Sequence, residues 1–309
     1  VHAIELENVT KTFGAQSAVD GLSLRVPVGS VYGFIGPNGS GKTTTLRMIM
    51  HIIHADQGRI VVLGEQTCAA ANDRVGYLPE ERGLYRQMKV VELLRFHSQL
   101  KGHAATRAEV IRWLERMQLS DWADRKVEAL SKGMSQKVQF IATVIARPQL
   151  LLLDEPFSGL DPINAEVVRE ILLELVRAGT TVLFSTHDMS VAEAMCDWIL
   201  MIHKGHKVLD GTLRQIQQEH GGDVLRVRLD WTNGSDRRLR DLPGVAKVTD
   251  LGNMQELALL AGADRQRILE LLMQRGKVEH FEMTRPSLRD IFLQIAGGPD
   301  RASPSGGES

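Results

Sequence analysis

The sequence predicts an α/β protein built on a parallel sheet, followed by a smaller α+β domain. Three observations carry that expectation. Apolar strands alternate with amphipathic helices over residues 1–219, the pattern of a sheet flanked by helices. A Gly-rich turn, "GPNGSGKT" at 36–43, stands between one such strand and one such helix. Past "EHGGD", residues 219–223, the order changes to strand, polar helix or turn, strand, strand, helix, strand.

In chain order, "IELENV", "LSLRVPV" and "VYGFIG" read as strands, and a helix runs from Gly41 to about Ile53. "RIVVLG" and "RVGYLP" are strands. "VVELLRFHSQL" and "RAEVIRWLERMQL" carry apolar residues at helical period. A helix opens near Ser131. "QLLLLDEP" reads as a buried strand, and "PINAEVVREILLELVRAG" as a helix closed by Gly179. "TTVLFST" is a strand, "MSVAEAMC" a helix, and "WILMIHKG" with "HKVLDG" a hairpin. "EHGGD" reads as a linker. The βαββαβ order after it is that of a ferredoxin-like split βαβ domain, at 223–297. "PSLRDIFLQIAG" gives a last helix with Pro286 near its start. The Gly/Ser/Pro-rich tail, 298–309, is expected to be disordered.

Composition bounds the function classes. The chain has 37 basic and 38 acidic residues in 309, with a formal charge of −1. That balance gives no reason to expect a nucleic-acid or anionic-membrane surface. Cys68 and Cys196 form no motif and read as buried thiols in a reducing compartment. No apolar run approaches the length of a membrane span, and no basic-then-apolar leader opens the chain. The first residue is not Met, which is expected either of trimming or of an arbitrary boundary. The chain is expected to be soluble by itself, with any membrane role supplied by a partner.

"GPNGSGKT" matches G-x-x-x-x-G-K-[ST] between a strand and a helix, the context of a phosphate-binding loop. In the loop Gly36, Pro37, Asn38, Gly39, Ser40 and Gly41, the glycines let backbone N–H groups wrap phosphates without Cβ clashes. Lys42 would neutralise β- and γ-phosphates, Thr43 would place its hydroxyl on Mg²⁺, and Thr44 continues the helix. A chance Gly-rich turn is the plain alternative, and the strand and helix flanks count against it. In "LLLLDEP" the apolar run fits a buried parallel strand whose carboxyl end reaches a ligand crevice. Asp154 emerges there to hold the Mg²⁺ shell, and Glu155 follows, suited to polarise an attacking water. His51 and His54, spaced i, i+3, read as helix surface.

These motifs, in this order, resemble an ATP-binding-cassette (ABC) ATPase over about residues 2–219. The resemblance implies a P-loop NTPase core, an antiparallel β subdomain and a helical subdomain at about 82–147. It implies ATP with Mg²⁺. Phe13 in "KTFG" matches the aromatic residue that stacks on adenine, or is a core aromatic. Glu80 in "GYLPEERGLY" stands where the family has Gln, in the loop that senses Mg²⁺ and the membrane partner. "SGLD" (Ser158, Gly159, Leu160 and Asp161) matches the loop that crosses the dimer interface. His187 in "STHD" matches the histidine on the γ-phosphate. "LSKGM" matches the family signature, with Ser131 and Gly133 kept, Lys132 at a Gly position and Met134 at the Gln position. In the family that segment caps the ATP of a second subunit, head to tail. A helix N-terminus, with its partial positive charge, suits an anion supplied by a partner. Lys132 adds a cation there or points to solvent.

"EERGLYRQMKVVELLRF" and the βαββαβ extension are similar to bacterial exporter ATPases of the sodium, drug and antibiotic-efflux type. The implied protein is a cytoplasmic ATPase, peripheral at the inner face of the cell membrane. Its implied partners are a second copy or related ATPase and a separate membrane permease. No coiled-coil arms interrupt Thr44 to Leu130, which argues against chromosome- and repair-type relatives. A soluble mechanical or regulatory ATPase without a permease is the alternative. A third reading, a non-hydrolysing nucleotide switch, is motivated by Glu80, Lys132 and Met134. Intact Lys42, Asp154, Glu155 and His187 weigh against it.

Overall fold

Uninterrupted apolar strands end up at the centre of a sheet, and three here do so completely. In the computed structural model, β3 (Val31–Ile35), β6 (Leu150–Asp154) and β7 (Thr181–Thr186) are buried at every position. Each leucine of "LLLL" removed from water contributes about 1.5–3 kcal/mol. The structure describes residues 1–66, 72–81, 83–220, 222–231, 239–260 and 262–296. The chain divides into two units, Val1–Leu213 and Arg214–Ser309.

The first unit contains two sheets. β1 (His2–Phe13), β2 (Gln16–Pro27) and β4 (Gln57–Val62) form an antiparallel sheet in the order β2-β1-β4. The larger sheet adds β5 (Val75–Leu78), β8 (Trp198–His203) and β9 (His206–Gly211), in the order β5-β6-β7-β3-β8-β9. Its pairings are parallel except for the β8–β9 hairpin. Helix α1 (Lys42–Ile49) follows β3. A helical layer follows β5: α2 (Val90–Leu100), α3 (Arg107–Arg116) and α4 (Lys132–Val144), sharing Leu93, Leu94, Val110, Leu114, Phe140 and Ile141 in one core. Helices α5 (Pro162–Arg177) and α6 (Met189–Met195) follow β6 and β7.

Helix starts are set by side-chain caps. Thr106 accepts from Glu109 N, Ser131 from Met134 N, and Asp161 from Asn164 N, at 3.0–3.3 Å. Such a cap contributes about 1 kcal/mol. Two sequence expectations are corrected. Helix α1 stops at Ile49, not near Ile53, because His51 takes a left-handed conformation with φ 52°. His51 and His54 therefore do not share a helix face. The "EHGGD" stretch is not a linker throughout, since Glu219 and His220 complete α7 (Leu213–His220).

In the second unit, β10 (Val224–Trp231), β11 (Val245–Asp250), β12 (Gln255–Leu259) and β13 (Gly276–Thr284) pair antiparallel in the order β11-β12-β10-β13. Helix α8 (Arg265–Arg275) connects β12 to β13. This is the ferredoxin-like sheet order expected from the strand pattern. The polar helix or turn expected after β10 falls partly on 232–238, outside the described residues; a 3-10 turn, Leu239–Asp241, follows. Helix α9 (Leu288–Ala296) opens with a capping box between Ser287 and Asp290. Cys68 and the tail 298–309 also lie outside the described residues, whereas Cys196 is a free thiol, and its burial pushes its pKa up.

Candidate active site

Strands β6, β7 and β3 are parallel neighbours, so their carboxyl ends lie side by side, where open α/β sheets bind ligands. The turn leaving β3 is shaped by two close approaches. A Cβ on Gly36 would lie 2.3 Å from the Ile202 carbonyl. Gly41 has φ 110°, and a Cβ there would lie 2.4 Å from the Ala18 carbonyl. Neither site accepts a side chain without moving backbone. Lys42 is 5% exposed. Its Nζ donates to the carbonyls of Gly36 at 2.7 Å and Pro37 at 3.2 Å. Burial pushes its pKa down, opposed by the charges of Glu155, Asp154 and Glu80. Asn38, Gly39, Gly41, Lys42, Thr43, Thr44, Glu80 and Glu155 line one cavity with Gln16 and Ala18. Ser40 Oγ is buried without a hydrogen-bond partner among the described residues.

Two carboxylates close the other side. Asp154, 1% exposed, accepts from Ser185 Oγ at 2.5 Å through Oδ1, while Oδ2 has no partner among the described residues. A buried carboxylate oxygen without a donor is costly, and a cation would satisfy it. Mg²⁺ takes oxygen ligands and is usually held by one or two side chains plus phosphate oxygens and water. The Asp154 carboxylate and the Thr43 hydroxyl fit that donor set.

Glu155 has φ 51°, a left-handed conformation that costs a non-glycine residue roughly 1–2 kcal/mol. Its N–H donates to Ser185 Oγ at 3.0 Å and to the Ser185 carbonyl at 3.2 Å. Its Oε1 lies 3.0 Å from His187 Nδ1 and 3.8 Å from Lys42 Nζ. A carboxylate oxygen accepts, so the histidine proton of that bond is assigned to Nδ1. Ser185 supports both carboxylates, a role that its place at the head of "STHD" does not announce. Its only signal is a hydroxyl at the end of an apolar strand, two residues before His187.

The other expected residues lie apart from the phosphate-loop cavity. Phe13 is half-exposed at the end of β1, with Lys11 Nζ 5.4 Å from its ring centroid. Ser131 and Lys132 are exposed at the start of α4. A Cβ on Gly133 would meet open space, and Met134 packs against the helical core. Lys132, Glu80, Gln136, Asp154, Glu155, Ser158 and Gly159 line a second cavity. Glu80 and Glu155 thus face both. Leu160 packs on the core, and Asp161 caps α5.

Comparison with known proteins follows the same division. Residues 19–158 match the family model described as ABC transporter, and residues 211–296 match that of the ATP-binding protein DrrA1-3-like C-terminal domain. The chain is 39% identical over 296 residues to the uncharacterized ABC transporter ATP-binding protein YhaQ of Bacillus subtilis, covering 95% of this chain and 98% of that one. It is 36% identical over 306 residues to the Nod factor export ATP-binding protein I of Burkholderia orbicola, covering 96% and 98%. It is 32% identical over 318 residues to the daunorubicin/doxorubicin resistance ATP-binding protein DrrA of Streptomyces peucetius, covering 99% and 96%. Among solved structures, an ATP binding subunit of an ABC transporter superposes with a TM-score of 0.65 at 29% identity, covering 70% of this chain and 92% of that chain. Similarity that runs the length of such relatives, on a sheet whose strand ends assemble a phosphate loop and two carboxylates, means that the chain belongs to the ABC transporter ATP-binding family and is an ATPase with a DrrA-like C-terminal domain.

Proposed function

We propose that this chain is the ATP-hydrolysing subunit of an exporter, working as a head-to-tail pair around two ATP molecules and driving a separate membrane permease. The observation that carries the hydrolytic part is the convergence of Lys42 and His187 on one oxygen, Glu155 Oε1, beside Asp154 Oδ2, which has no partner among the described residues. Lys42 exchanges the Gly36 and Pro37 carbonyls for β- and γ-phosphate oxygens. Asp154 and Thr43 would hold Mg²⁺, which supplies charge neutralisation at the phosphates. Glu155 accepts a hydrogen bond from the attacking water and aligns it; His187 holds Glu155 and reaches the γ-phosphate. Such positioning and charge stabilisation suffice for phosphoryl transfer. Phe13 stacks on adenine. Ser131, Lys132, Gly133 and Met134 cap the partner's nucleotide, and Ser158, Gly159, Leu160 and Asp161 cross between subunits.

The export reading rests on relatives named for drug resistance and Nod factor export. A permease is required by that reading, since no helix among the described residues is long and apolar enough to cross a membrane. Its cytoplasmic helix would seat on the apolar cleft lined by Gly83, Leu84, His97, Leu100 and Ala142. That contact keeps the ATPase at the inner face of the membrane. We assign residues 1–219 to the nucleotide-binding domain, with its helical part near 82–147, and 223–297 to an accessory domain. The test is Glu155→Gln with ATP and Mg²⁺. It should bind nucleotide, hydrolyse it very slowly and accumulate as a dimer; normal turnover would sink the assignment. Co-purification of a multi-span protein from membranes tests the permease, and its absence favours a soluble ATPase.

A further inference from the structure

We propose that Gln136 is a positioning residue for ATP hydrolysis: it locks the turn that follows Glu155 to the helix whose first residues follow Ser131. The inference rests on the assignment of Glu155 as the group that aligns water.

Gln136 lies one turn into α4 and is 9% exposed. Its Nε2 donates to the Ser158 carbonyl at 2.7 Å and to the Pro156 carbonyl at 3.3 Å. Both partners are acceptors, so the amide nitrogen must face them and the orientation is set by chemistry. The turn so held begins at Glu155, whose carbonyl accepts from Ser158 N at 3.1 Å. Glu155 itself sits in the left-handed region. A strained backbone persists only where its surroundings over-determine it. The Gln136 amide supplies part of that constraint, and the edge-on packing of Phe157 on Phe184, 5.8 Å between centroids, supplies another.

A second glutamine extends the same device. Gln139 is three residues further along α4, on the same face. Its Nε2 donates to the Glu81 carbonyl at 3.3 Å. That carbonyl is one residue past Glu80, which lines the phosphate-loop cavity. One face of α4 therefore grips the backbone beside two carboxylates of that cavity. When α4 moves, the Glu155 turn moves with it.

Gln136 also carries an internal cost. Its Oε1 is buried with no hydrogen-bond partner among the described residues. A side chain kept only for stability would not leave that acceptor unsatisfied. Gln136→Leu, of similar volume, removes both the orphan oxygen and the link. This separates a structural role from a positioning one.

The experiment compares the full-length wild type, Gln136→Leu and Glu155→Gln for kcat, KM, equilibrium ATP binding and melting temperature. For Gln136→Leu we expect kcat to fall roughly tenfold to a hundredfold, as for a misplaced reacting group. ATP affinity should stay within about twofold, and the melting temperature should not drop. Unchanged kcat, with Glu155→Gln inactive, overturns the inference alone. A kcat loss matched by lost ATP affinity or lower melting also overturns it, because the residue is then merely structural. Normal turnover in Glu155→Gln removes the premise and overturns both readings. Gln136→Met, unbranched and also without the amide, carries the same comparison if the leucine variant does not fold.

Discussion

His187 Nδ1 donates to Glu155 Oε1 at 3.0 Å, joining the carboxyl ends of two neighbouring parallel strands. Lys42 Nζ is 3.8 Å from the same oxygen. Two positively polarised groups thus share Oε1, so under the proposed hydrolytic role Oε2 is the oxygen left to accept from water. The relationship gives histidine a task that begins before any phosphate arrives, namely holding the glutamate in one rotamer.

That task predicts how substitutions at His187 should rank. Asparagine places its amide N–H near the position of Nδ1, whereas glutamine places it near Nε2. His187→Ala should lower kcat by about 10²-fold or more, the scale of a lost acid–base or orienting partner. Asparagine should retain more turnover than glutamine. The measurement is steady-state kcat at saturating ATP. Higher activity in the glutamine variant would put the essential contact at Nε2, and the orienting role would be discarded.

Lys42 yields a prediction about stability as well as binding. Burial lowers its folded-state pKa below the ordinary 10.5. Between the two values the unfolded chain holds more protons than the folded one, so this group's contribution to stability rises with pH in that window. Lys42→Met removes the group and the dependence together. The variant's nucleotide-free melting temperature should equal or exceed the wild type near neutral pH, and that margin should shrink as pH climbs toward 10.5. Adding ATP should stabilise the wild type by about 2.7 kcal/mol at a hundred times Kd and leave Lys42→Met nearly unshifted. A margin that is flat with pH would refute the burial argument.

The sequence is legible here where chemistry is local and opaque where it depends on register. "GPNGSGKT" and "LLLLDEP" each keep their polar side chains within a few residues, so the turn that buries Lys42 and the carboxylate pair Asp154 and Glu155 could be read directly. Ser185 supports Asp154 and Glu155 only because β6 and β7 pair with Asp154 opposite Ser185, and no single-strand pattern encodes that. Gln136 presents the same difficulty, since its partners lie twenty and twenty-two residues away across the fold. Helix α7 was hidden for a different reason. "LRQIQQEH" has just two apolar residues, Leu213 and Ile216, and buries only Ile216, too few for a helical period to be read. The second unit's βαββαβ element order was accessible because its strands could be counted between a linker and a helix, although β11 does not alternate cleanly.

Asp56 leads to the last prediction, which concerns the proposed adenine contact at Phe13. Its carboxylate accepts from Lys11 Nζ at 2.7 Å, from Thr12 N at 2.7 Å and from Thr12 Oγ1 at 2.8 Å. These bonds, the Lys11 one foremost, lower its pKa from 3.8 to about 2. They also fix the end of β1 that presents Phe13. Because the folded value is the lower one, the clamp is intact above pH 3.8 and is lost as pH falls through about 2. An NMR titration should therefore place the Asp56 carboxyl midpoint near 2. Asp56→Asn loses the ionic partner of Lys11, and the Phe13 end of β1 loosens. ATP affinity should fall by about twofold to tenfold, the scale of one weakened aromatic contact, while kcat at saturation stays the same. A kcat loss at unchanged affinity would mean that Phe13 does not hold the adenine.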